Sequence, residues 1–167
     1  LGLEEGARLV VFHPGSGRKK ALWGCEKWAE LADRLQEKDD VRVLIAAGPG
    51  ESRIAANIAA LMKKQPLTLE HEISATEFAG LVSTARLLVG LESFSSHVAA
   101  AVDTPCVVIH SGVQAVELWR PMGRRVCTLT KAVSCSPCWR TSGCDTMRCI
   151  RNVKVGEVFE AAEKLLR

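Results

Sequence analysis

With 167 residues, 47% hydrophobic and 25% charged, the chain has the size and composition of one globular domain with a full core. Its 22 basic and 19 acidic residues leave a net charge of +3, too balanced to point to nucleic acid. Four tryptophans and four phenylalanines with no tyrosine supply few rings for base stacking, and no apolar run nears the roughly 20 residues that span a bilayer.

The acidic opening LGLEEGARLV is no secretory signal and reads as a linker running into a strand. The seven cysteines, an odd number, argue for a reducing cytosol over a secreted disulfide framework. Residues 8–13 (RLVVFH) predict the first strand. Trp28, Leu31, Ala32 and Leu35 then recur at helical spacing. Residues 41–48 (VRVLIAAG) predict a second strand, and Ile54, Ile58, Leu61 and Met62 a second helical stripe. The sequence SATE at 74–77 is a capping box that opens a short helix. Residues 86–90 (RLLVG) and 106–112 (CVVIHSG) read as further buried strands, with a helix from about Ser96 between them. Val155, Val158, Phe159, Ala162 and Leu166 form a final apolar stripe. Unbroken apolar strands alternating with amphipathic helices predict an α/β fold, a doubly wound, mostly parallel Rossmann-like sheet.

In such a sheet, ligands bind beyond the carboxyl ends of the strands. Four loops there merit attention. In HPGSGRKKALW, residues 13–23, Ser16 lies between two glycines that expose backbone N–H groups, and Arg18, Lys19 and Lys20 follow; phosphate binding and an ordinary basic loop are both open. The GxxxxGK[ST] spacing is absent. After the second strand, Gly48 precedes a turn to Glu51, which either complements a helix dipole or accepts ribose hydroxyls. After the third, Glu92, Ser93, Phe94 and His97 sit at a helix start that suits a diphosphate, with capping by Ser93 or Ser95 and a packed histidine as the plainer account. Finally, Cys135, Cys138, Cys144 and Cys149 have C-x2-C-x5-C-x4-C spacing, compatible with structural zinc or with reduced thiols packed on the sheet. Cys25, Cys106 and Cys127 read as small buried hydrophobes.

Taken in order, VVFHPGSGRKKALWGCEKWAELADRL, VLIAAGPGE, ISATEFAGLVSTARLLVGLESFSSHVAAAVDTPCVVIHSG, LWRPMG and CSPC…C…CI resemble the C-terminal half of the bacterial ADP-heptose:lipopolysaccharide heptosyltransferases, glycosyltransferase family nine. The resemblance covers essentially the whole chain. It implies one half of a GT-B fold, with residues 1–167 as a single donor-binding domain. The N-terminal acceptor domain, which would supply the catalytic base, would lie outside this sequence, and the isolated domain would be inactive. It implies inverting transfer of a sugar, heptose from ADP-heptose, to a lipid-linked saccharide acceptor of the lipopolysaccharide core. No cofactor would be required, and the place of work would be the cytoplasm or the inner face of the bacterial inner membrane. By the same resemblance Lys20, with Lys19 as rival, neutralises phosphate; Glu51 holds the ribose; Glu92 holds sugar hydroxyls; and the turn with Ser93, Phe94 and His97 seats the phosphates. Glu92 stands where the family has Asp, and Phe94 where it has Gly, a place at which positive φ would strain a phenylalanine and its ring would fill sugar space. A non-catalytic nucleotide-binding module is the alternative that Phe94 favours.

Overall fold

The structure, a computed structural model, describes residues 3–18, 20–69 and 72–167. Its five strands are β1 (Arg8–His13), β2 (Val41–Ile45), β3 (Leu87–Leu91), β4 (Cys106–Ile109) and β5 (Val126–Leu129). The helices are α1 (Cys25–Leu35), α2 (Ser52–Leu61), α3 (Ala75–Thr84), α4 (Phe94–Ala101), α5 (Val116–Trp119), α6 (Arg148–Arg151) and α7 (Val155–Leu166). The strands form one sheet in the order β2-β1-β3-β4-β5, and every pairing is parallel. The expected α/β sheet is therefore present, and wholly parallel.

Burial on both faces explains why the strands read as unbroken apolar runs. Strand residues alternate sides. Val10, Phe12, Val43, Ile45, Leu87, Val89, Leu91, Val107 and Ile109 belong to one core layer, shared with α1 and α7. Leu9, Val11, Leu44, Leu88, Cys106 and Val108 belong to the other, shared with α3 and α4. The stripe of α1 is wholly buried, and Trp28 packs its ring between Phe12 and Trp23, with centroids 5.1 and 5.2 Å away. Burying such a side chain contributes about 1.5–3 kcal/mol or more through lost apolar hydration. The stripe of α2 is interrupted: Ile58 and Met62 are buried, whereas Leu61 is exposed. In α7, Phe159 lies at the margin under the Arg34 guanidinium, 4.2 Å from its ring centroid.

The predicted capping box opens α3: the Ser74 hydroxyl accepts from the Glu77 N–H at 3.2 Å, and the Glu77 carboxylate accepts from the Ser74 N–H at 2.8 Å. Strand β5 and the four-residue helices α5 and α6 are additional to the predicted elements. Half-buried throughout, β5 lies at the sheet edge, so its apolar signal is short. Strand order reverses direction between β1 and β3, where a doubly wound sheet opens a crevice at its carboxyl edge.

Candidate nucleotide-binding site

An open cleft of about 500 Å³ lies at that reversal. The loop after β1 contributes His13, Gly15, Ser16, Gly17 and Arg18, the turn after β2 contributes Gly48, Pro49 and Glu51, and Glu92, Ser93, Phe94 and Trp119 close the other side. Of the predicted residues, Ser16, Gly48, Glu51, Glu92, Ser93 and Phe94 are thus gathered around one space.

Glu51 is held by its backbone neighbours. It is the residue before α2, yet its side chain caps no N–H of that helix; instead its Oε2 accepts from the Gly48 N–H at 3.0 Å. A methyl group on Gly15 would stand 1.7 Å from that same oxygen, so the absent side chain is what lets the carboxylate lie against the β1 loop. Glu51 therefore faces the cleft at a fixed position. Burial pushes the neighbouring His13 imidazole below its usual range, against the upward pull of the Glu51 charge and of backbone carbonyls.

At the start of α4, Ser93 occupies the N-cap position without a side-chain bond to the helix backbone; its hydroxyl pairs with that of Ser95 at 3.0 Å, and its carbonyl accepts from the Ser96 N–H at 3.2 Å. The helix begins at Phe94, two residues before the predicted start, and leaves its first N–H groups without a side-chain cap. Phe94 has no positive φ, so the expected backbone strain is absent: as the first helical residue it adopts ordinary helical geometry. Its side chain is 57% exposed and lies near Phe78, ring centroids 6.2 Å apart. Phe78 and Phe94 also line an adjoining slot of about 250 Å³ with Pro49, Leu69 and Ile73, largely apolar and open beside Gly48.

Glu92 differs most from expectation. The residue is only 5% exposed, and its hydrogen bonds all fall on one carboxylate oxygen, while Oε2 is buried without one. Oε1 accepts from Arg18 Nη1 at 2.9 Å and from the Ser111 hydroxyl, and Oε2 stands 2.7 Å from His110 Nε2. Glu92 thus stands in the cleft wall with its carboxylate directed toward the end of β4.

Lys20 is drawn to Asp145 at 2.7 Å, an exposed ion pair that raises the lysine pKa and lowers that of the aspartate. It lines cavities beside the cysteine loop and is absent from the lining of the cleft, a departure from the expected place at phosphate. Lys19 lies outside the described residues. His97 is exposed on α4 and meets the cleft only through Trp119, their ring centroids 5.8 Å apart.

Of the two readings of the cysteine spacing, the structure shows free thiols. Among the described residues, no three Cys, His, Asp or Glu side chains are gathered as metal ligands. Cys135, Cys138 and Cys144 border one cavity, but Cys149 is buried in the core below Gly112. The Thr146 hydroxyl and then the Met147 N–H hold the Cys144 thiol below its usual range, so that sulfur is already engaged. The physical reason is that Cys149 follows the left-handed Met147 into the core while Cys135 stays on the surface.

Residues 3–146 match the profile of glycosyltransferase family 9 (heptosyltransferase). Lipopolysaccharide heptosyltransferase 3 of Escherichia coli (strain K12) is 30% identical over 124 residues, covering 72% of this chain and 35% of that protein. The crystal structure of the glycosyl transferase family 9 from Veillonella parvula DSM 2008 superposes with a TM-score of 0.84 at 20% identity, over 99% of this chain and 47% of that one. A structure of E. coli heptosyltransferase WaaC with ADP gives 0.73 at 20% identity, over 96% and 45%. The chain spans about a third of its curated relative and about half of these solved chains.

Proposed function

The chain belongs to glycosyltransferase family 9, the heptosyltransferases, and from that premise we propose that it is the donor-binding half of an inverting, lipopolysaccharide-building enzyme whose donor is a nucleoside diphosphate sugar, ADP-heptose. The observation that carries this reading is the convergence at the β1–β3 reversal of three unlike features: the fixed Glu51 carboxylate, the uncapped start of α4 and the Gly15–Gly17 backbone. Each suits a different part of one ligand. Glu51 accepts the two ribose hydroxyls. The α4 N–H groups and the glycine loop hold the diphosphate, where anionic charge is favoured by the helix dipole. The apolar slot beside Gly48, with Phe78 and Phe94 on its wall, takes the base.

In transfer, the bond from the anomeric carbon to the diphosphate breaks and negative charge grows on the departing phosphate. Donors fixed in place before that moment stabilise the charge without reorganisation. The base that deprotonates the acceptor belongs to an N-terminal half of the full-length protein, as does the site for the lipid-linked saccharide. Work at the inner face of the inner membrane follows from such an acceptor. The solved relative with ADP bound supports the donor class.

A calorimetric screen of the chain against ADP, UDP, GDP and CDP tests the donor class. ADP is expected to bind at least about tenfold more tightly than the pyrimidine nucleotides, since a purine fills more of an apolar slot. Equal affinity for all four removes the base assignment, and no binding removes the donor site. The second reading, a nucleotide-binding module without turnover, rests on Phe94 at the cleft edge. Release of ADP from ADP-heptose by the full-length protein with acceptor lipid decides against it; tight binding without release decides for it.

A further inference from the structure

The loop after β1 carries the basic residues Arg18 and Lys20, and the fold sends them to different places. Lys20 leaves for Asp145, whereas Arg18 lies in the wall of the cleft. Its backbone N–H is fixed on the Ser16 hydroxyl at 3.2 Å, one link in the same loop. Its guanidinium is gripped at both ends: Nη1 donates to Glu92 Oε1 at 2.9 Å, and Nη2 donates to Gln114 Oε1 at 2.7 Å. Only 18% of the side chain is exposed, little for a residue that usually trails in solvent.

The grip has its own foundation. Glu92 follows β3, while Ser111 and His110 follow β4. Ser111 donates its hydroxyl to Glu92 Oε1, and His110, fully buried, covers Oε2 with Nε2 while its Nδ1 meets the Ser111 carbonyl. A carboxylate bonded on Oε1 by Ser111 and walled on Oε2 by the buried His110 ring has little freedom to turn. It passes its orientation to the guanidinium, whose planar fork matches carboxylate and phosphate geometry alike. Because the carboxylate is shared with a second partner, it neutralises the arginine less fully than an isolated pair would.

We propose that Arg18 is the cation that meets the diphosphate, and that Glu92, seated on Ser111 and His110, is its positioning residue and not a ligand of the sugar. The inference rests on the reading of the cleft as a nucleoside diphosphate site. An arginine already fixed before the ligand arrives loses little side-chain entropy on binding it, and the α4 start beside it adds N–H donors to the same anion. The length of the side chain matters: an aspartate here, one carbon–carbon bond shorter, would fall short of Ser111.

Titration calorimetry of the chain with ADP and with inorganic pyrophosphate, on parent and variants, tests both parts, with thermal unfolding recorded for each variant. Arg18→Gln is expected to weaken both ligands about 10- to 100-fold, the loss of a charge-assisted contact. Glu92→Gln and Gln114→Leu are expected to weaken binding several-fold in the parent and less than about twofold in an Arg18→Gln background, because each acts through the arginine. Gln114→Leu, at a half-buried site, keeps the test decisive if Glu92→Gln fails to fold. Arg18→Gln binding both ligands like the parent overturns the inference and leaves the nucleotide reading standing. Full, additive losses from Glu92→Gln or Gln114→Leu in the Arg18→Gln background overturn the positioning role. A parent that binds pyrophosphate through Arg18 but gains nothing from adenosine sinks the nucleotide reading and keeps the inference. A parent that binds neither ligand sinks both.

Discussion

His13 shows how a residue at the end of a strand acquires a pH dependence. Burial at the base of the cleft disfavours its charged form more strongly than Glu51 favours it, so the folded chain releases the proton more readily than the unfolded chain. The stability from the neutral ring is complete above the unfolded value of about 6.5 and is lost as pH falls through the lowered folded value. Urea unfolding between about pH 7 and pH 5, above the range where ordinary carboxylates titrate, is expected to show a falling midpoint; in His13→Gln that fall is reduced. An unchanged slope in the variant contradicts this. At the same scale, Glu51 was readable in the sequence because an acidic residue one turn beyond a Gly-Pro-Gly is constrained by its neighbours. That Arg18 lies in the cleft wall while Lys20 leaves it was not, because it depends on which carboxylate captures each, and those partners stand 74 and 125 residues away. The inward turn of Glu92 was hidden for the same reason: Ser111 and His110 come from the next strand.

Among the elements, α3 is the best specified from local chemistry alone. Serine at the N-cap and glutamate three residues on satisfy each other's backbone donors, and both bonds form. Ser74→Ala is expected to lower stability by about 1 kcal/mol, since it removes the hydroxyl that accepts from the Glu77 N–H at the helix start. Chemical denaturation checks this; an unchanged midpoint contradicts it. Strands β1 to β4 were readable from their apolar runs, whereas β5 escaped notice because its four half-buried residues make no such run. Strand ends were overdrawn: the small residues after Ile45 and the buried His110-Ser111-Gly112 after Ile109 already form the rim. The α4 start was misread by two residues because Phe94, judged as a replacement for a flexible glycine, takes helical backbone. The cysteine spacing left zinc and free thiols both open for a different reason. Spacing counts residues along the chain, and here the chain turns Cys149 into the core.

The whole molecule follows from one topological fact: a parallel sheet in the order 2-1-3-4-5 with both faces covered. That order opens the crevice between β1 and β3, and the loops leaving β1, β2 and β3 all border it. Alternating strands and helices made the sheet readable. Its carboxyl edge then told where chemistry would gather, though not which side chains would turn inward. The cleft is smaller than the cavity of about 660 Å³ bordered by Lys20, Trp23, Lys27, Asp145 and Arg151, so volume alone would send a ligand elsewhere. The chemistry favours the cleft, which joins an oriented carboxylate, a clamped arginine and free helix N–H groups. Backbone amide chemical-shift mapping on titration with ADP tests this central claim most directly. The largest changes are expected at Gly15, Gly17, Arg18, Gly48, Glu51, Phe94 and Ser95. Changes centred instead on Gly24, Lys27, Asp145 and Arg151 would contradict it.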